Sequence, residues 1–599
     1  MLSLVPAARS VSLTISRALL VSFWACSPAQ DLEAIHRAAQ RGNAEAQFNL
    51  GLIHSEGRGV PQDAVEAVRW VRLAAEQGLA TAQGELGMMY AGGRGVPQDH
   101  AEAARWVRLA ADQGLAEAQA NLGVAYAGGR GVPQDDTEAV RWHRLAADQG
   151  HPIAQHQLGM MSMVGRGVPQ DYADAARWFR LAADQGLAEA QANLGFAYGE
   201  GRGVPQDDAE AVRWLQLAAD QGHAIAQGQL GMMYLSGGGV PPDDTEAVRW
   251  IRLAADQGLA QAQDQLGLMY MVGRGVPQDD AEAVRWIQLA ADQGLAQAQA
   301  NLGTAYAGGR GVPQNNIEAI RWFRLAADQG HAPAQANLGF AYAEGRGVPQ
   351  DDAQAIGWFR LAANQGHPDA QYYLGFAYAE GRGVPRDDAE AARWVRLSAD
   401  QGNPYAQTNL GRMYAQGQGV AQDRVAAHVW LSLAAAQVPG AIEARDALAK
   451  EMTADQIAQA QLDLGAAYAE GRGIPQDDTE AAHWFRQAAD RGLPRAQANL
   501  GVAYAAGRGV PQNYAEAVRL YQLAADQGDI VAQLNLGVSY ATGQGVQQDN
   551  VTAYMWFSLA APRSSDAAQN RDSVATEMTP EQIAEAQSLA REWKPTDQP

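Results

Sequence analysis

Four histidines occupy equivalent places along this chain, each directly after a glycine, and regular histidines can bind metal ions. They are His151, His223, His331 and His367. Zinc sites combine histidine with further nitrogen or sulfur ligands, and no cysteine accompanies these four. We therefore predict that they fill turns and that the chain has no metal site.

Paired aspartates offer the oxygen ligands that calcium prefers, and Asp135-Asp136 and Asp279-Asp280 are two such pairs. No calcium-binding loop of the EF-hand type surrounds them. Each pair instead precedes a helix-forming segment, where an aspartate side chain can accept hydrogen bonds from the free backbone amides. The pattern predicts helix caps.

The motifs of the common catalytic sites do not occur in this sequence. Glycine loops such as Gly92–Val96 lack the Lys-Ser/Thr ending that holds phosphates. The two lysines, Lys450 and Lys594, have no serine three residues ahead, and neither His-Glu-x-x-His nor Gly-x-Ser-x-Gly is found. We expect a nonenzymatic protein with no catalytic residue and no cofactor.

The dominant pattern is a Leu-Gly pair that recurs every 36 residues, from Leu50-Gly51 to Leu410-Gly411. It resumes at Leu464-Gly465 and continues to Leu536-Gly537, for fourteen copies. A fixed period of this length is typical of stacked helical repeats, in which each unit buries its apolar face against its neighbours. Such a stack presents a long surface, which favours binding over catalysis.

Each repeat reads as two helices joined by a turn, as residues 43–78 illustrate. Ala44 to Glu56 shows the apolar spacing of one helix face, and the glycines and proline of Gly57–Gln62 end that helix. Asp63 can cap a second helix, which stops at Gly78. We predict an all-α fold.

Two further positions indicate close packing. Gly51 and its counterparts lie inside a predicted helix, where glycine costs about 1 kcal/mol relative to alanine, so neighbouring backbone must approach there. A tryptophan follows each Leu by twenty residues in thirteen of the fourteen copies, beginning with Trp70. Its helical spacing predicts a core residue.

The repeat is interrupted once, because Leu410 and Leu464 are 54 residues apart. The added text at 444–461 is nearly repeated at 571–587, at the end of the chain. We interpret it as a C-terminal cap used twice, with the last helix of the first cap running into the next repeat.

The predicted organisation has four parts. Residues 1–29 are a signal peptide and 30–42 an N-terminal capping helix. A first array of eleven repeats with its cap covers 43–463, and a second array of three repeats with its cap covers 464–599.

The leader combines Arg9 and Arg17 with the apolar run 18–25 and the small residues of 27–29, a pattern typical of secretory signals. We expect a periplasmic or secreted protein. A lipoprotein anchored at Cys26, and a cytoplasmic protein, are the alternatives.

The formal charge of −22 disfavours nucleic acid and anionic membranes as partners. No segment has the length and hydropathy of a membrane span. We expect a monomer that binds a protein or peptide.

The repeat pattern Ala46-Gln-x-x-Leu50-Gly51, Gly57-x-Gly59-Val60, Ala67-x-x-Trp70 and Ala74-Ala75-x-x-Gly78 resembles the bacterial Sel1-like repeat, a relative of the tetratricopeptide repeat. The resemblance covers about residues 43–594. It implies an α-solenoid with a right-handed superhelix and a role as an adaptor or scaffold for proteins or peptides. One cysteine-rich branch is linked to cell-envelope hydrolysis, but this chain lacks the paired cysteines.

The resemblance also implies that first helices line the inner wall, through the residue after the Gln and the residue after each Leu-Gly pair. The second set is mostly apolar and suits adaptable binding of peptides. Packing against the next repeat is the alternative. The predicted binding residues of this set are Met88, Met160, Phe196, Met232, Phe340 and Phe376.

The region 331–415 departs most from the repeat consensus. Tyr372, Tyr373 and Tyr405 add aromatic rings beside Phe376, and Arg412 replaces an apolar residue. Aromatic residues with an arginine are typical of interaction hot spots. We predict the preferred contact patch here, with drift near the end of an array as the alternative. An envelope hydrolase and a cytoplasmic assembly scaffold remain the alternative functions.

Overall fold

The computed structural model describes residues 28–596, which are helical with no strand among them. The predicted signal peptide and Cys26 lie outside the described residues, apart from the last two positions of that segment. Export therefore stays a prediction. Among the described helices, none combines the length and the apolar character needed to cross a membrane.

The chain divides into two compact units between Asp279 and Asp280. The helices of the first unit are α1 (Pro28–Gln40), α2 (Ala44–Glu56), α3 (Ala64–Glu76), α4 (Ala80–Gly92), α5 (His100–Asp112), α6 (Ala116–Gly128), α7 (Asp136–Asp148), α8 (Pro152–Val164), α9 (Tyr172–Asp184), α10 (Ala188–Glu200), α11 (Asp208–Asp220), α12 (Ala224–Ser236), α13 (Asp244–Asp256) and α14 (Ala260–Val272).

The second unit contains a set of shorter helices that occurs twice, and the second copy includes one short 3-10 helix, Ala561–Arg563. Its α-helices are α15 (Asp280–Asp292), α16 (Ala296–Gly308), α17 (Asn316–Asp328), α18 (Ala332–Glu344), α19 (Asp352–Asn364), α20 (Pro368–Glu380), α21 (Asp388–Asp400), α22 (Pro404–Gln416), α23 (Arg424–Ala434), α24 (Pro439–Ala449), α25 (Ala454–Glu470), α26 (Asp478–Asp490), α27 (Pro494–Ala506), α28 (Tyr514–Asp526), α29 (Ile530–Thr542), α30 (Asn550–Ala560), α31 (Ser565–Ala575) and α32 (Pro580–Glu592).

The helix pair predicted for each repeat is confirmed, and local chemistry sets its ends. Gly57 follows α2 with φ 69°, a left-handed conformation that glycine adopts without strain. The Asp63 carboxylate then accepts hydrogen bonds from the amides of Val65 and Glu66 at the start of α3. The predicted aspartate caps recur through both units, including Asp135 before α7.

The glycine of each Leu-Gly pair marks the point where the two helices touch. A Cβ atom on Gly51 would lie 2.5 Å from Val71 Cγ2 and 3.0 Å from the Ala67 carbonyl oxygen. Leu50 beside it is buried, as are Ala74 and Ala75 of the second helix. The close approach inferred from the sequence is therefore present, and it explains why glycine is tolerated within a helix.

The tryptophans of the second helices lie at the edge of this core. Trp142 and Trp214 are buried, and the indole N–H of Trp142 donates to Glu138 over 3.1 Å. Trp70, Trp358 and Trp430 are only partly buried. Their rings pack between successive repeats, so the ladder is structural in most copies.

A ladder of glutamine side chains joins helix ends within the core. Gln191 Nε2 donates to the Ala183 carbonyl over 3.2 Å, and Gln191 Oε1 accepts from Gln221 Nε2 over 2.7 Å. The same pair of bonds links Gln83 with Ala75 and Gln113. These buried amides are hydrogen-bonded, so they cost little to bury and fix the register of each turn.

Replacing Gln191 with alanine is expected to destabilise the first unit by about 1–3 kcal/mol, because the buried Ala183 carbonyl and the Gln221 amide lose their partner. Chemical unfolding followed by circular dichroism measures this change. The exposed Gln261, replaced in the same way, serves as the control and should leave the transition in place. Equal transitions for the two variants would contradict the role assigned to the ladder.

The interruption after Leu410 consists of one additional helix. α23 is followed by α24, and α25 is longer than its counterparts, with 17 residues. Its first half belongs to the cap, and its second half carries Leu464 and Gly465 as the first helix of the next repeat, as the sequence predicted. The predicted boundary between 463 and 464 falls inside this helix, and the division into two arrays stays a prediction.

Both caps begin their last helix in the same way. The Thr453 hydroxyl accepts from the Gln456 amide while the Gln456 side chain accepts from the Thr453 amide, and Thr579 and Gln582 make the same capping box. The two copies differ at the position of the Leu-Gly glycine. Gly465 lies so close to Phe485 that a Cβ atom would be 2.6 Å from its ring, and Arg591 stands in that place in α32. Glycine at this place in α25 allows α26 to pack closely against it.

Candidate protein-binding site

The residue after each Leu-Gly pair lies on the first helix of its repeat and is never fully buried. Met88, Met160 and Phe196 are partly exposed in the first unit, and Met232 is exposed. Phe340 and Phe376 are partly exposed in the second unit. This row therefore presents apolar surface while its inner atoms pack against neighbours, and its role in binding stays a prediction.

The residue after the Gln behaves differently from what the resemblance implied. It is alanine in many repeats, and Ala120, Ala192 and Ala336 are buried. These alanines lie in the hydrophobic cores formed with the second helices, so a small side chain is enclosed there. Of the two predicted rows, only the residues after the Leu-Gly pairs are thus broadly available at the surface. Tyr372 is one of the residues after the Gln that are not fully buried.

Five aromatic residues of the second unit, on α18, α19, α20 and α22, form one cluster that we call the aromatic patch. The Phe340 and Tyr373 rings lie 4.8 Å apart in a T-shaped arrangement, and Tyr373 stacks on Phe359 at 5.6 Å. Tyr372 is 5.2 Å from Tyr373 and 6.4 Å from Tyr405. Rings at these separations and angles attract one another and form a rigid surface.

Much of this patch is accessible. Tyr405 is 61% exposed and Tyr373 is 40% exposed, while the other three rings are largely covered. Asn409 Nδ2 donates to the Tyr372 hydroxyl over 3.2 Å. Burial raises the pKa of Tyr372 and of Tyr373, so both hydroxyls keep their protons at neutral pH and can donate hydrogen bonds. The patch combines apolar faces with phenolic donors.

The structure brings together only some of the predicted residues. Phe340, Tyr372 and Tyr405 belong to the patch, and the positive charge of the exposed Arg412 acts on Tyr372. The Arg382 guanidinium lies over the Phe376 ring, 5.3 Å from the ring centre. Phe376 is not part of the patch. The methionines and Phe196 belong to the first unit.

Sequence reasoning missed two features. Phe359 follows Trp358 at a position that is core in every repeat, so its sequence context carried no sign of a site. The second helices also expose a row of leucines at 36-residue spacing, in the sequence Leu-Ala/Ser-Ala. That spacing was visible in the sequence, and the exposed members are Leu73, Leu109, Leu145, Leu181, Leu217, Leu253, Leu289, Leu325, Leu361 and Leu397.

The regularly spaced histidines are helix caps. His151 Nδ1 accepts from the Ala154 amide over 3.3 Å, and His331 Nδ1 does the same for Ala334. The histidines therefore lie in turns, as the sequence predicted, and cap the helices that follow. Within residues 28–596, no group of three or more His, Cys, Asp or Glu side chains is arranged to hold a metal ion.

Comparisons with known proteins agree with this geometry. The model of the Sel1 repeat family matches fourteen segments of the chain: 44–79, 80–115, 116–151, 152–187, 188–223, 224–259, 260–295, 296–331, 332–367, 368–403, 404–438, 458–493, 494–529 and 530–561. A search of curated proteins finds no match.

Solved structures that are similar to this chain include the following two. A protective antigen present in uropathogenic Escherichia coli strains, displaying an SLR fold, is 38% identical, with 76% of this chain and 97% of that chain covered and a TM-score of 0.68. A Sel1 repeat protein from Oxalobacter formigenes is 39% identical over 51% of this chain and 89% of that chain, with a TM-score of 0.42.

Sel1 repeat solenoids are generally scaffolds for protein interaction and generally lack catalysis. The in-phase repeats, the paired helices and the matched segments agree along nearly the whole described chain. This chain belongs to the Sel1 repeat family.

Proposed function

We propose that this chain is a nonenzymatic scaffold of the bacterial cell envelope or exterior that binds a protein or peptide along its first helices. The observation that carries the proposal is the aromatic patch, in which Tyr373 and Tyr405 stand exposed beside buried rings. The location rests on the leader pattern of residues 1–29 alone.

The composition of the patch suits a binding hot spot. Tyrosines held by neighbouring rings lose little conformational freedom on binding and offer both apolar area and a hydrogen-bonding hydroxyl. Arg412 adds a positive charge close to Tyr372. The row of Met and Phe side chains after the Leu-Gly pairs would extend the contact, because methionine adapts to varied partner surfaces.

The test begins with affinity capture from the envelope fraction, which supplies the partner. The informative variant is Tyr372→Ala with Tyr373→Asn, which restores the Ala336-Asn337 pair of the preceding repeat. Because that pair already packs within the same framework, the fold should be kept. We expect the affinity for the captured partner to fall by about 30-fold or more, as removal of a hot spot does.

The control is Tyr514→Ala, which removes an exposed tyrosine at the start of α28, away from the patch. It should leave the dissociation constant unchanged. If the double variant keeps the full affinity while its thermal transition matches that of the unaltered chain, the patch is not the binding site.

The location is tested separately. Cell fractionation with N-terminal sequencing of the purified protein should find the chain in the periplasm or medium, with a new N-terminus near residue 30. An intact N-terminal methionine on protein from the cytoplasm would contradict export without affecting the patch.

A further inference from the structure

The two caps are near copies of each other, and they differ in the residues of the last helix that stand near their tryptophans. Val429, Trp430 and Leu433 of α23 correspond to Met555, Trp556 and Leu559 of α30. In each cap the last helix packs over this group. The copies therefore provide an internal comparison of what fills the same space.

In the C-terminal cap the space holds a tryptophan. The Trp593 ring meets Trp556 edge to face, with centroids 6.1 Å apart, and packs against the same core cluster as Met555 and Leu559. Leu589 precedes it by one helical turn.

In the first cap a small residue and a charged residue stand at the two corresponding positions. Ala467 stands where the other copy has Trp593, and Asp463 stands where it has Leu589. A cavity of about 270 Å³ lies here, between α23 and α25. Its lining residues are Ala426, Val429, Trp430, Leu433, Asp463, Ala467 and Arg472.

The turn after α25 bounds this region. The Gly473 carbonyl accepts a hydrogen bond from Gln407 Nε2, and a Cβ atom on Gly473 would be 3.3 Å from Trp430 Cζ3. Gly473 also covers Gly402, whose counterpart Gly528 is approached by Trp593. The turn therefore takes part of the place of the missing indole, and the cavity is what remains.

The cavity is negative at one end. Asp463 is half-buried and accepts from Gln459 Nε2 over 2.8 Å. The positive charge of Arg472 acts on Asp463, but Arg472 is shared with Glu470, 3.1 Å away, and a further carboxylate, Asp423, also acts on Asp463. Burial raises the pKa of Asp463, which is the expected cost of a carboxylate in this place. A bound cation would relieve that cost.

We infer that this cavity binds an aromatic group of up to indole size that carries a positive charge, with the ring against Trp430 and the cation at Asp463. The ring takes the role that Trp593 plays in the other copy. Two sources share this chemistry, a free aromatic amine and a tryptophan beside a basic residue in a peptide. The site is distinct from the aromatic patch and does not depend on the function proposed above.

The test is calorimetric titration of the full chain with tryptamine and with indole-3-propionate, which bear the same ring and opposite charges. We expect tryptamine to bind at least about tenfold more tightly, because a charge-assisted hydrogen bond to Asp463 is available to the amine alone. The acetylated and amidated peptide Ala-Trp-Arg-Ala is the second probe. Whichever of tryptamine and the peptide binds more tightly identifies the source.

Two substitutions taken from the other copy make the test specific. Ala467→Trp fills the cavity and should abolish binding of tryptamine, while Ala467→Ser leaves the cavity open and should keep the affinity within about twofold. Asp463→Leu should remove the preference for the amine over the propionate. Thermal unfolding of each variant checks that the fold is kept.

The inference is overturned if neither tryptamine nor the peptide binds. It is also overturned if folded Ala467→Trp binds tryptamine as the unaltered chain does, or if the propionate binds as tightly as the amine.

Discussion

Replacing His143 with phenylalanine is expected to make the repeats around α7 more resistant to acid. His143 occupies the core position that Val107 and Phe179 fill in the neighbouring repeats, and its side chain is 1% exposed. The ring packs on Gly123, where a Cβ atom would be 2.7 Å away, and Nδ1 has no hydrogen-bond partner. A buried imidazole with an unpaired Nδ1 is therefore held at a position that apolar side chains fill in the neighbouring repeats.

The sign of the effect follows from the pKa. Burial, and then repulsion from His151, lowers the pKa of His143 from 6.5 to about 4. Above pH 6.5 the ring is neutral in both folded and unfolded chains, and its contribution does not change with pH. As the pH falls from 6.5 to about 4, the imidazole binds a proton in the unfolded chain but not in the folded chain, so the free energy of unfolding decreases. The loss is about 3 kcal/mol for this shift.

Phenylalanine removes that titration. Hydrogen exchange of the α7 and α8 amides at pH 7 and at pH 4 measures the opening free energy of these repeats. The unaltered chain should lose about 3 kcal/mol more than the variant between the two pH values. His100→Ala, at the exposed start of α5, is the control and should reproduce the unaltered pH dependence. Equal losses in the unaltered chain and His143→Phe would contradict the buried-histidine account.

Alanine substituted for glycine is expected to act in opposite directions at two helical positions. At Gly375 in α20 a Cβ atom would lie 2.7 Å from Val395 Cγ2 and 3.0 Å from both the Ala391 oxygen and the Val395 nitrogen. Backbone atoms cannot yield cheaply, so α20 and α21 must separate. Gly375→Ala should destabilise the second unit by about 1–3 kcal/mol, the range of overpacked cores.

Gly357 provides the matched case in the adjoining repeat. It lies inside α19, and a Cβ atom there would meet nothing within 4 Å. Gly357→Ala should therefore stabilise the unit by about 1 kcal/mol, because only the helix propensity changes. Chemical unfolding of both variants measures the two shifts. A destabilised Gly357→Ala, or a Gly375→Ala as stable as the unaltered chain, would show that the Leu-Gly position does not set the distance between helices.

Much of the fold could be predicted because its causes are local. Gly57 ends a helix through its own backbone freedom, and Asp63 starts the next through bonds to the adjacent amides. The continuation of the first cap into the next repeat was also readable, since Thr453 and Leu464 lie within one uninterrupted helical pattern. The boundary between the two compact units could not be predicted from the sequence. The compact units part between Asp279 and Asp280, where the repeat text is uniform.

The candidate sites depended on contacts between repeats. Phe359 reads as core in any alignment of the repeats, yet it stacks on the exposed Tyr373 from the next repeat. The cavity beside Trp430 is lined by Ala467, which lies far from Trp430 in the sequence. Space is left there because the side chain of Ala467 is small, whereas that of its counterpart Trp593 is large.

The sequence by itself determined the repeat, its turns, its caps and its family, because each is specified by residues a few positions apart. Only the tertiary structure decided which aromatic rings meet, which rows of side chains reach solvent and where space is left unfilled. Those properties depend on how closely successive helices approach, and that distance is set by the packing of residues from different repeats.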